Sequence, residues 1–231
     1  MTPDPPAASG YVPVVRPRIG ATPERPEPRL LDALRAVSMT DVSDVVGRLY
    51  TMDPGIRPLF APITRTVGVC RTVKAFPGDN LAVHGGLGRV GPNDVLVVDW
   101  LGYQDGCGSG ARALEAPIAR GLAGVVVDGG WRDVAELQAR GFPVFGRRET
   151  AYSPPKREPG ELDVPVCCGG VVVEPGDVVV ADEGGVAVVP RRHLIDVVAA
   201  LATRATAEQA VLSGVQQQHS TAFDARLGLR D

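Results

Sequence analysis

The sequence predicts a single α/β domain with a mixed sheet core. Three observations carry the prediction. Short valine-rich runs recur along the chain, amphipathic stretches separate them, and after residue 163 the rhythm changes to strand, turn and strand. Strands alternating with helices and followed by a meander point to a sheet with parallel and antiparallel parts.

Taken in order, residues 1–28 hold eight of the 21 prolines and few core-forming side chains, so they read as an extended or disordered arm, with the domain proper running over 29–231. LLDALRAV and TDVSDVVGRL have the spacing of short amphipathic helices, the second with Thr40 as its N-cap. TRTVGVCRTVKAF (64–76) alternates as a strand, and VLVVDW (95–100) is a buried one. Residues 110–120 are helical in pattern and lead into the buried strand AGVVVDG. DVAELQAR (133–140) is a further helix and PVFG a short strand. VPVCCGGVVVEPGDVVVADEGGVAVVP follows as a meander, with EPGD and DEGG as its turns. RRHLIDVVAALATRATAEQAVLSG closes the chain as a long helix.

Composition narrows the function classes. A formal net charge of −3 over 231 residues leaves no basic footprint for nucleic acid and no polybasic patch for a membrane surface. No apolar run reaches the roughly 20 residues that span a bilayer. The N-terminus lacks the basic and apolar regions of a signal peptide, so a cytoplasmic location is expected. Cys70, Cys107, Cys167 and Cys168 have neither zinc-site nor disulfide-framework spacing and read as buried reduced thiols. Lys74 and Lys156 are the only lysines, which leaves little material for Schiff-base chemistry.

The stretch GVVVDGGWRD (124–133) is where chemistry enters. It reads as a buried strand stopping at a Gly-Gly turn, with Gly129 and Gly130 letting the backbone turn and approach a ligand. Ligands of α/β folds bind beyond the carboxyl ends of strands, where helix N-termini point. Arg132 offers a planar fork for a carboxylate or phosphate. Asp133, in the first turn of the next helix, is placed to hold a hard cation directly or through water. The plain alternative is an N-capping Asp beside a solvent-facing Arg. The preceding strand also runs into glycine-rich sequence, GYQDGCGSGARALEAPIARG, whose CGSGA portion opens a helix and presents the amides of Gly110, Ala111 and Arg112 to an anion. Two successive strand-to-helix junctions then form one candidate site for a small carboxylate plus a metal.

Several spaced motifs (PGDNLAVHGGL, GPNDVLVVD, AGVVVDGGWRDVAEL, FPVFGR and the valine-rich meander) occur in an order that resembles the RraA-like family over roughly residues 40–192. That family comprises 4-hydroxy-4-methyl-2-oxoglutarate aldolases, with their oxaloacetate decarboxylase side activity, and the regulator of ribonuclease activity A. The resemblance implies an α/β/α swivelling-domain fold with a C-terminal helix, and a homotrimer or hexamer with sites near subunit interfaces. It also implies a lyase of the class II pyruvate aldolase type, using Mg²⁺ or Mn²⁺ on a 2-oxo dicarboxylic acid through a pyruvate enolate. The alternatives are a non-catalytic regulator on the same scaffold, or a member recruited to another small-acid reaction.

Carried over by position, the resemblance makes Arg132 the ligand of the substrate carboxylate and keto oxygen and Asp133 the metal-holding carboxylate, both catalytic. The family pattern is an acidic residue, twenty positions, then Arg-Asp. Here the acidic position falls on Ala111, so one carboxylate of the metal shell is missing, and Asp105 is the nearest upstream substitute. Asp99, Asp105 and Lys156 are candidates for the groups surrounding the site, with Ser153 in the same long loop as Lys156. Asp79, Asn80 and His84 match the family's DN-containing helix, His84 reading as structural. Trp131 reads as shaping the pocket or packing beneath it, and His193 and His219 as surface residues.

Overall fold

The structure, a computed structural model, describes residues 16–211 and 225–228. Its elements in chain order are α1 (Pro28–Arg35), α2 (Met39–Val46), β1 (Arg57–Pro58), β2 (Thr66–Lys74), α3 (Leu81–Leu87), β3 (Asp94–Cys107), α4 (Ala111–Ala119), β4 (Gly124–Trp131) and α5 (Val134–Ala139). There follow β5 (Val144–Gly146), β6 (Arg148–Glu149), β7 (Glu161–Leu162), β8 (Val166–Cys168), β9 (Val171–Val173), β10 (Val178–Asp182), β11 (Gly185–Val189) and α6 (Leu194–Val211).

One sheet runs in the order β1-β5-β4-β3-β2-β10-β11. Its centre is parallel, with Cys70 opposite Val95, Val97 opposite Val126, and Val126 opposite Phe145. Both ends are antiparallel: β1 on β5 at one side, β10 on β2 and β11 on β10 at the other. Thr51 bridges Ala187 in β11 and Arg57 pairs with Gly146 in β5, so the segment between them spans the two edges and draws the sheet towards closure. Closing a sheet in this way covers the edge groups that would otherwise template aggregation.

Strand parity explains the layers. Cys70, Val95, Val97, Val126, Val179 and Val188 point to the inner face, where the separate hairpin β8–β9 supplies Val166, Cys168, Val171 and Val173. The alternate residues point outward. Val73, Leu96, Val98, Val125 and Val127 meet Val83 of α3, Leu114 of α4 and Leu137 of α5. Further along, Val67, Val69, Val178 and Val180 meet Leu34 of α1, Val42 of α2, and Leu194, Val197 and Leu201 of α6. A sheet buried on both faces needs near-continuous apolar strands, which is why β2 and β4 show so little alternation.

Several expectations change. The cap of α2 is Ser38, whose Oγ accepts the Asp41 N–H at 3.1 Å, rather than Thr40. The valine-rich segment is not one meander: EPGD leads from β9 in the hairpin to β10 in the main sheet, because the hairpin leaves the sheet to fill its interior. β3 runs on past Trp100 to Cys107 through two register shifts, so the predicted loop around Asp105 is a bulged strand. β4 likewise continues through Gly129 and Gly130. A Cβ at Gly129 would lie 2.6 Å from the Tyr103 oxygen, and one at Gly130 would lie 2.6 Å from the Gly106 oxygen. The glycines serve the close approach of β3 and β4, and the turn comes later, at Arg132 and Asp133.

Residues 16–27 of the proline-rich arm lie along the domain. The Gly20 N–H donates to Leu162 O at 2.8 Å, and Arg25 forms an ion pair with the fully buried Asp94 at 2.8 Å. Residues 1–15, His219 and the end of the predicted last helix lie outside the described residues. No helix among the described residues is long and apolar enough to cross a membrane.

Candidate active site

Parallel neighbours β3 and β4 end side by side, and the chain leaves each into a helix. Ser109 O accepts the Arg132 N–H at 3.2 Å, and Gly108 N–H donates to Gly130 O at 2.8 Å, so the two junctions are stitched together by backbone. Asp133 adds a brace: its Oδ2 accepts the Ala111 N–H, the first amide of α4, at 3.1 Å. Asp133 adopts a left-handed conformation (φ 59°), which aspartate tolerates better than most residues. Gly110 lies between the two junctions in extended conformation. A Cβ there would sit 2.2 Å from Asp133 Oδ2 and 2.8 Å from Arg132 Nε, so only glycine fits without displacing both.

Over this floor opens a cavity of about 320 Å³ lined by Asn80, His84, Cys107, Ser109, Gly110, Arg112, Ala113, Arg132, Ser153 and Lys156. Its far wall is the loop before β7, held in place by α3 and β3. Asp79 Oδ2 accepts the Arg157 N–H at 2.7 Å, Asn80 N–H donates to Pro155 O at 3.1 Å, and Cys107 N–H donates to Tyr152 O at 2.8 Å. These three tethers bring Ser153 and Lys156 to the pocket.

The electrostatics are one-sided. Arg112, Arg132 and Lys156 line the cavity and no carboxylate does. Burial, then Lys156, then Arg132 push the His84 imidazole below its usual pKa, which favours its neutral form. Burial raises the Cys107 thiol above its ordinary pKa, against the opposing pull of Arg132, so it is not an activated nucleophile. Asn80 is 2% exposed, and its Oδ1 has no hydrogen-bond partner; neither has the buried Nε of Arg132, whose nearest carboxylate oxygen on Asp133 is 3.6 Å away. Orphaned polar atoms in a pocket wall mark where a ligand's own donors and acceptors belong.

The structure thus brings Gly110, Arg112, Arg132, Lys156 and Ser153 to one pocket, with Asp133 beside Arg132 and bonded to the Ala111 amide. Ala111, Asp99 and Asp105 are not brought there. The Ala111 methyl is fully buried in the outer apolar cluster, and its amide is taken by Asp133. Asp99 has the inner-face parity of β3 and accepts the N–H groups of Leu101 and Cys167. Asp105 is exposed on the bulged end of β3. Trp131 is fully buried and packs under Gly108. Cys107 and Ser109 were missed as lining residues because the strand was expected to stop at Trp100.

The donor set does not fit the divalent metal expected at Asp133. Among the described residues no three His, Cys, Asp or Glu side chains come together as a metal site. Asp133 is a single carboxylate with one oxygen already bonded, and a cation in the cavity would face three side chains of its own sign.

A family model described as Aldolase/RraA matches residues 31–188. The chain belongs to the RraA-like family. This RraA-like chain is 33% identical over 151 residues to a Thermus thermophilus protein named 4-hydroxy-4-methyl-2-oxoglutarate aldolase, covering 65% of this chain and 91% of that one. A Halalkalibacterium halodurans protein to which the same activity is provisionally ascribed is 38% identical over 157 residues, 68% of this chain and 74% of its own. Among solved structures, Streptomyces coelicolor RraAS2, described as an unusual member of the RNase ES inhibitor RraA family, superposes with a TM-score of 0.72 at 32% identity, over 80% of this chain and 96% of that one. The RNA-processing inhibitor RraA from Thermus thermophilus gives 0.60 at 31% identity, over 67% and 93%. The mixed α/β architecture expected of the RraA-like fold, with helices packed on a nearly closed mixed sheet, is the one observed.

Proposed function

We propose that this RraA-like chain is a carbon–carbon lyase that cleaves a small 2-oxo dicarboxylic acid through a pyruvate enolate. The observation that carries the reading is the pocket wall of Arg112, Arg132 and Lys156 with no facing carboxylate. The aldolase names of its relatives support the same direction.

In this reading the Arg132 guanidinium binds the 2-oxo carboxylate and the keto oxygen, a bidentate task that suits its planar fork. When the C3–C4 bond breaks, its electron pair moves into the enolate and the C2 oxygen becomes negative. A fixed cation at that oxygen stabilises charge that the ground state lacks, which is the difference that accelerates a reaction. Lys156 and Arg112 hold the second carboxylate. His84, favoured in its neutral form, takes the hydroxyl proton in the retro-aldol direction and returns it to C3 of the enolate.

A second reading, a non-catalytic anion-binding regulator, draws on Ala111 standing where the family pattern has an acid. Pyruvate release from oxaloacetate and from 4-hydroxy-4-methyl-2-oxoglutarate, measured in EDTA and again with Mg²⁺ or Mn²⁺, separates the two. Release under any of these conditions is the lyase outcome. Silence under all of them leaves the regulator.

A further inference from the structure

The misfit between this pocket and a divalent cation has a positive counterpart in the residues present. We propose that the pocket binds its small dicarboxylate without a divalent cation, the guanidinium of Arg112 and the ammonium of Lys156 supplying the positive charge. The inference deepens the lyase reading of the same site and rests on it only for the identity of the substrate.

Four observations converge. First, the position that would carry a metal-holding acid has a fully buried methyl, Ala111, packed among the apolar residues beneath α4, so no carboxylate can enter the pocket from there without leaving the core. Second, the remaining carboxylate, Asp133, is committed to the Ala111 N–H and lies 3.6 Å from Arg132, where it acts as a brace. Third, the residue after Ala111 is Arg112, and it lines the cavity together with Arg132 and Lys156. With Asp133 behind them, these three leave a net of two positive charges, matched by the two negative charges of a dicarboxylate. A divalent cation would double that excess. Fourth, Asn80 Oδ1 and Arg132 Nε are buried at the pocket without partners, which points to a ligand that brings its own acceptor and donor.

The loop carrying Lys156 is tied by Asp79 to the Arg157 amide and by the Asn80 amide to Pro155, so its backbone holds the lysine at the pocket mouth.

The test is calorimetric titration of the full chain with 2-oxoglutarate, a 2-oxo dicarboxylate that has both carboxylates but no C4 hydroxyl and so no retro-aldol cleavage, in EDTA and in excess Mg²⁺. The expected result is an affinity that agrees between the two buffers within about twofold, and that falls about tenfold in Arg112→Gln and again in Lys156→Gln, the loss expected for one charge-assisted hydrogen bond each. Both side chains are exposed at the pocket mouth, and circular dichroism of the variants confirms their fold. 2-Oxoglutarate binding that appears only with Mg²⁺, binding that is insensitive to both substitutions, or no binding in either buffer overturns the proposal. The lyase reading fails separately. A chain that binds 2-oxoglutarate in EDTA yet never releases pyruvate from either lyase substrate loses the lyase reading and keeps this one, and pyruvate release that needs Mg²⁺ does the reverse.

Discussion

His84 sits half-buried on α3 with two positive neighbours in the pocket, and each raises the cost of protonating it. If it is the base, the acid limb of kcat/KM lies below that of an ordinary histidine. Removing one neighbour in Lys156→Gln raises its pKa and moves the limb to higher pH. A pH profile of the two proteins checks this; an unmoved limb assigns the proton to another group. Asp79 is a positioning residue, since it touches the Arg157 and Leu81 amides and not the cavity. Asp79→Asn should loosen the Lys156 loop, raising KM about tenfold while kcat changes little, because a charge-assisted hydrogen bond is exchanged for a weaker one. Equal loss in kcat would place Asp79 in the chemistry itself. The Arg-Asp pair was legible in the sequence as charge after an apolar strand. The roles of Asp79 and Asn80 were not, because a tether spanning some 78 positions leaves no local pattern.

The two strand-to-helix junctions were legible at the element scale, since valine runs ending in glycine before helical periodicity are strong signals. What the glycines do was not. Gly129 and Gly130 read as a turn but allow two strands to touch, and Gly110, in an unremarkable extended conformation, is fixed by its neighbours' atoms. Gly110→Ala is therefore expected to displace the Asp133 carboxylate and the Arg132 side chain. It should cost activity at least about tenfold, since a shift of roughly 1 Å in the groups that hold the substrate is enough for that. Wild-type turnover in that variant would contradict the cradle. Ala111→Asp puts a carboxylate at the first residue of α4. Instead of completing a metal site, the new carboxylate would enter the apolar cluster around Leu114 and Trp131. An uncompensated buried charge costs about 3 kcal/mol or more, which in a domain of this size lowers Tm by roughly 6–12 °C. Thermal scans with and without Mg²⁺ decide: stabilisation by Mg²⁺ in the variant would show that the side chain reaches the pocket after all.

Across the whole molecule, alternation and composition announced an α/β domain, and the resemblance supplied its architecture. The departure of the β8–β9 hairpin into the sheet interior was hidden, because its strands carry the same valine pattern as strands that pair in the main sheet. The arm was half legible. Its prolines marked an extended chain, but nothing local revealed that Arg25 meets Asp94 some 69 positions away. Deleting residues 1–15 should leave Tm within about 2 °C. Deleting 1–27 strips the buried Asp94 of Arg25 and is expected to cost about 1–3 kcal/mol, a fall of several degrees; equal Tm values for the two truncations would contradict the ion pair's role. The ring implied by the family predicts a trimer or hexamer by light scattering at micromolar concentration, and a monomer there would remove that expectation. The central claim is that Arg132 carries the enolate charge, and pyruvate release from oxaloacetate by Arg132→Lys tests it most directly. The account predicts a fall in kcat of about 100-fold or more, since a point charge cannot replace the bidentate fork. A variant within twofold of the parent would contradict it.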